Sequence, residues 1–98
     1  FFIMRNKLLY TFEKDLKDRL KNPKFKKAWE EVEVEYLLAR QLIEKRLAKK
    51  TSQRELAKKL KTTQAVISRI ETMRANPSLS LLKRIAHIFN SKLILQFR

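Results

Sequence analysis

Ninety-eight residues, 44% of them hydrophobic, suffice for one small domain with a core and are too few for two. Against 24 Lys and Arg stand only 10 Asp and Glu, a formal charge of +14 that favours a polyanion: nucleic acid, an anionic membrane surface or an acidic protein. Cysteine and glycine are both absent, which excludes disulfides, thiolate chemistry and the glycine loops that cradle phosphates, so no cofactor is expected.

The charge is unevenly placed. Residues 1–39 carry 9 basic and 7 acidic side chains, whereas residues 40–98 carry 15 and 3. The second half is therefore the part expected to meet the polyanion. No apolar run approaches the ~20 residues needed to span a bilayer, and FFIMRNKLLY has too early a basic residue and too short an apolar core for a signal peptide. A cytoplasmic protein is expected.

In chain order, Thr11 is placed to cap a short helix running to about Leu20, with Glu13 and Asp15 in its first turn. Asn22 followed by Pro23 is a second helix start. From there Phe25, Ala28, Trp29, Val32, Tyr36, Ala39, Ile43 and Leu47 return every three or four residues, as in one long helix to about Lys49 or two with a bend near Val32–Glu35. Ser52 and Glu55 form a capping box before a helix that turns Leu56, Ala57 and Leu60 inward. Lys61 and Thr62 leave a very short turn before KTTQAVISRIE continues as the next helix, buried along Ile67 and Ile70. Asn76, Pro77 and Ser78 break the pattern, and a last helix is expected with Leu79, Leu82, Ile85, Ala86 and Phe89 inward, closed by Asn90 as a left-handed cap.

The tail SKLILQFR changes period. Leu93, Leu95 and Phe97 alternate with Lys92, Gln96 and Arg98, the pattern of a half-buried strand. A lone strand leaves its backbone groups unpaired. Its partner could be the N-terminal FFIMRNKLLYTF, another protein's sheet edge, or the same strand from a second copy; the second copy, giving a two-fold homodimer, is favoured.

Residues 53–72 thus form helix, tight turn and helix within a basic half. If Ile67 and Ile70 face the core, about 100° per residue puts Ala65, Arg69 and Thr72 on the opposite, open face. This is the shape of a module whose second helix enters the major groove while the first braces against the DNA backbone. SQRELAKKLKTTQAVISRIE together with NPSL resembles the XRE family of helix-turn-helix proteins, over about residues 38–90.

That resemblance implies an all-α, five-helix domain over residues 38–90, to which the helical periodicity adds an extension over 1–37 and the alternating tail a short strand over 91–98. It implies that Gln53 contacts a phosphate, that Thr63 caps the recognition helix near the backbone, and that Gln64, Ala65 and Arg69 read bases. The chemistry agrees: glutamine can pair with adenine, arginine with guanine, and the alanine methyl can meet a thymine methyl. Ser68 and Thr72 would be neutral phosphate donors. Arg46 and Glu71 occupy the places of a structural ion pair that holds two helices in register. Lys50, Lys61 and Met73 stand where family members often carry glycine and Thr51 where leucine is common, so those turns are either strained or differently shaped.

LKNPKFKKAWEEVEVEYLLARQLIEKR is in turn similar to the N-terminal part of HigA-type antitoxins. The similarity implies a repressor that neutralises a small basic RelE/HigB-like ribonuclease toxin and autoregulates the shared operon. Glu30, Glu31 and Glu33, with Glu35 beside them, would suit such a surface electrostatically, and Phe25 and Trp29 would be its aromatic anchors. Tyr36 could serve there or simply pack the long helix onto the domain. The remaining alternative within the family is a regulator with no toxin partner.

Two other classes fit less well. A basic ribonuclease fold needs a sheet, and the sole histidine, His87, falls on a polar helix face beside Lys83 and Arg84 rather than in a catalytic constellation. No enzymatic activity is expected. A cationic membrane-surface protein would border one apolar stripe with its basic residues, whereas here they spread over several helices whose apolar faces serve the core.

Overall fold

The computed structural model describes the backbone of residues 2–98 and the side chains of residues 11–98. Five helices follow in order: α1 (Phe2–Arg19), α2 (Pro23–Ala48), α3 (Gln53–Lys59), α4 (Gln64–Glu71) and α5 (Leu79–Ile88). The Asn22 side chain accepts from the Lys24 N–H, and Pro23 opens the helix at a position whose N–H needs no partner. At Ser52 the capping box is complete in both directions. Thr63 and Ser78 cap α4 and α5 by accepting from Val66 and Leu81.

Helix α1 differs from expectation. It does not start at Thr11 but runs through it from Phe2, because nothing in FFIMRNKLLYTF breaks the helical ladder. Helix α2 is continuous over 26 residues with no break at Val32–Glu35, as its proline-free and glycine-free interior allows. At about 1.5 Å per residue it accounts for most of the 41 Å long dimension.

The core lies almost wholly in the second half. Leu42, Leu56, Ala57, Leu60, Ile67, Ile70, Leu81, Ile85 and Phe89 form one buried cluster. Leu42 and Leu81 lie inside although neither is among the expected inward residues, and Leu79, expected inward, is 51% exposed. Both helices carry apolar residues on two adjacent faces (LLARQLI and LSLLKRIAHI), so periodicity left the phase open and packing chose it.

Helix α1 instead joins α2 through an aromatic cluster, Phe12 stacked on Tyr36 with Trp29 tilted against the same tyrosine, and through Arg40, which bridges Glu13 and Glu44. Burial raises the Tyr36 phenol above its ordinary value in spite of the opposing pull of Arg40.

The chain closes four helices without glycine. Lys50, Lys61, Met73 and Asn90 sit at φ between 51° and 61°. The next residue in each case returns its N–H to a carbonyl five positions back: Thr51 to Arg46, Thr62 to Ala57, Arg74 to Arg69 and Ser91 to Ala86, at 2.8–3.0 Å. These are Schellman closures that normally recruit glycine. Of the two options open at positions 50, 61 and 73, strain is therefore the one adopted.

The C-terminal strand is not formed. Residues 92–98 carry no regular secondary structure, and no strand exists among the described residues for them to pair with. One candidate partner is removed outright, because the N-terminal segment is helical.

Candidate nucleic-acid interface

Helices α3 and α4 pack across the turn formed by Leu60 to Thr63. Ile67 and Ile70 are sealed in the core at 0% and 2% exposure. One side of α4 being committed this way leaves the other open: Thr63, Gln64, Ala65, Arg69 and Thr72 are all exposed, and Ser68 is half-buried at the margin. The face is the width of about one helix. It carries one amide, one methyl and one guanidinium with no carboxylate among them, which is a surface able to donate and accept against base edges.

The buried edge of this unit is held by one ion pair. Arg46 of α2 donates from Nε to Glu71 Oε2 at 2.7 Å and from a terminal nitrogen to Oε1 at 2.9 Å, while Nη1 donates to the Thr51 carbonyl at 3.0 Å. A single arginine thereby ties the end of α4 to the end of α2 and to the loop before α3. The bidentate fork fixes orientation as well as distance.

Gln53 is more involved than the sequence suggested. From the start of α3 its Nε2 donates to Glu71 Oε1 at 3.0 Å, and its Oε1 accepts from Gln64 Nε2 at 3.4 Å. The amide is thus pinned on one side and braces the first residue of α4 on the other. Thr72 is engaged too: its hydroxyl donates to the Ser68 carbonyl at 2.8 Å and accepts from Arg74 Nε at 3.0 Å. A phosphate at Thr72 would therefore meet an oxygen whose proton is already in use.

Arg74 and Arg84 lie outside the expected contact set. With Arg69 they ring an open cleft of about 440 Å³ between α4, the 72–78 loop and the start of α5. Arg84 donates from Nη1 to the Leu60 carbonyl at 2.7 Å, so it also holds the turn that leads into α4. Neither position is marked in the sequence, because only the approach of the 72–78 loop and α5 to α4 brings them beside Arg69.

In the first half, Glu30, Glu31 and Glu33 are exposed and Phe25 is half-buried. Trp29 is half-buried with its ring against Tyr36, 5.0 Å between centroids. The large apolar residues exposed in this stretch are instead Val32 at 41%, Val34 at 73% and Leu37 at 44%. No described helix is long and apolar enough to cross a membrane.

Residues 42–95 match the model of a helix-turn-helix family, more than half of the chain. No curated protein and no solved structure matches.

Proposed function

Since the chain belongs to the XRE-type helix-turn-helix family, we propose that it is a sequence-specific transcriptional repressor which docks α4 in the major groove of an operator. The observation that carries this reading is the open Gln64–Ala65–Arg69 face backed by fully buried Ile67 and Ile70, in a half-chain with 15 basic and 3 acidic side chains. Gln64, Ala65 and Arg69 read bases, Gln53 contacts a phosphate while bracing Gln64, and Thr63 and Ser68 meet the backbone. Two copies on one duplex face would place half-sites about 34 Å apart. The role is one of binding, not catalysis, and is exercised where the DNA is, in the cytoplasm. Selection from a random duplex pool tests it: enrichment of one sequence is expected, and an unenriched pool after repeated rounds would refute it.

We further infer that the repressor is the antitoxin of a toxin–antitoxin pair, binding a small basic RelE/HigB-like toxin and regulating its own operon. Support comes from the similarity of LKNPKFKKAWEEVEVEY to HigA-type antitoxins and from the position of Glu30, Glu31 and Glu33 on the surface. The partner contact then falls on those glutamates with Val34 and Leu37, while Trp29 supports the helix from beneath. Co-expression with the product of the adjoining reading frame, followed by copurification and a growth assay, tests this. A neighbour that is neither toxic nor retained would leave a regulator without a toxin partner.

A further inference from the structure

We propose that the arginine-ringed cleft between α4 and α5 is a site for a small phosphomonoester with an apolar body, and that its occupant and the operator exclude each other. Its volume of about 440 Å³ falls within the range of small-molecule sites, roughly 300–1,000 Å³. The rim holds the guanidiniums of Arg69, Arg74 and Arg84, no carboxylate lines it, and the wall is apolar where Val66, Ala75, Pro77 and Leu81 come together. A basic rim over an apolar wall fits a ligand with both characters. Three cations suit a phosphomonoester, which carries about −1.5 to −2 at pH 7, better than a singly charged carboxylate.

Two of the three guanidiniums are already held. Arg74 donates from Nε to the Thr72 hydroxyl at 3.0 Å, and Arg84 from Nη1 to the Leu60 carbonyl at 2.7 Å. Each keeps further N–H donors for a ligand, and because neither side chain has to be ordered on binding, less entropy is lost. None of the three arginines is in an ion pair among the described residues, so three like charges share one opening and a bound dianion relieves their repulsion. A duplex phosphate would engage the rim alone and leave the apolar wall uncovered; the lining therefore favours the free ester. Arg69 belongs to both surfaces, the open face of α4 and the rim of the cleft. Turned to a bound ester it is lost to base reading, and the ester's charge repels the operator backbone, so the ester releases the DNA. Only this last step rests on the repressor reading.

The probes are phenyl phosphate and inorganic phosphate, titrated into the full chain at constant ionic strength and followed by calorimetry and amide NMR. Phenyl phosphate is expected to fill one site, to shift the amides of Ala75, Asn76 and Ser78, and to bind at least about tenfold more tightly than inorganic phosphate, which has no apolar body to bury. Arg74→Gln should weaken it by about tenfold, whereas Lys58→Gln on the exposed face of α3, which removes the same charge away from the cleft, should leave it unchanged. Equal affinities for the two probes, equal losses in the two variants, or the same amides moved by a short random duplex and not by phenyl phosphate overturn the proposal. In fluorescence anisotropy, phenyl phosphate should displace the selected duplex over the concentrations that fill the cleft, and equal inorganic phosphate should not. A filled cleft with the duplex still bound overturns the exclusion. A chain that selects no duplex yet binds phenyl phosphate defeats the repressor reading and leaves the cleft standing, whereas a selective chain that does not bind phenyl phosphate does the reverse.

Discussion

Removing Glu71 isolates the ion pair that ties the end of α4 to α2. The Arg46 and Glu71 side chains are only 13% and 5% exposed, which decides between two regimes. Exposed pairs contribute about 0–1 kcal/mol, whereas breaking a buried pair on one side costs about 3–5 kcal/mol because a charge is left unpaired. In Glu71→Ala, Arg46 keeps only its bond to the Thr51 carbonyl and Gln53 loses its anchor. We expect a loss of about 3 kcal/mol, and thus a fall in Tm of roughly 12 °C or more for a domain of this size. Urea denaturation followed by circular dichroism measures it. The double variant Arg46→Met/Glu71→Leu should recover most of the loss, since no charge remains to be buried. A Glu71→Ala loss below about 1 kcal/mol would show that the pair acts as a surface pair and that α2 and α4 are held together by the core alone.

Arg69→Ala should lose about 1–3 kcal/mol of discrimination at one base pair with little change on random duplex. Gln53→Ala should weaken binding to every sequence and also relax the position read by Gln64, which it braces; equal losses on specific and random DNA for both variants would contradict the assignment. Affinity should fall with salt at a log–log slope of about 0.9 per neutralised phosphate, measured by fluorescence anisotropy, and a salt-insensitive complex would argue against backbone contact. Lys61→Gly and Met73→Gly, at φ 55° and 61°, should each stabilise the fold by roughly 0.5–1 kcal/mol and add, because the turns are separate. The hydrogen bond from the Ser52 backbone, and then the Ser52 hydroxyl, hold the Glu55 carboxyl below its ordinary value. Its contribution is therefore present above the unfolded glutamate pKa of about 4.3 and lost as pH falls through the lower folded value. A Glu55→Gln variant, which can still close the box, should show a shallower acid transition than wild type.

What was legible in the residues was local. The starts of α2 and α3 could be read because each cap is a hydrogen bond within three residues, carried by Asn22 with Pro23 and by Ser52 with Glu55. The open side of α4 was legible as well, since its strongly apolar residues, Val66, Ile67 and Ile70, all fall on one side of the helix and fix its phase. Tertiary structure decided the rest. It chose Leu42 and Leu81 for the core where two apolar faces competed, and it linked Gln53 to Glu71 and Gln64 across 18 and 11 residues. Strain at Lys50, Lys61 and Met73 was decided there too, because a left-handed lysine or methionine persists only where the helices on both sides are already packed. The tail shows the same division: alternation gives Leu93–Phe97 the period of a strand, but a strand is completed by a neighbour's backbone, and none stands beside it among the described residues of one chain.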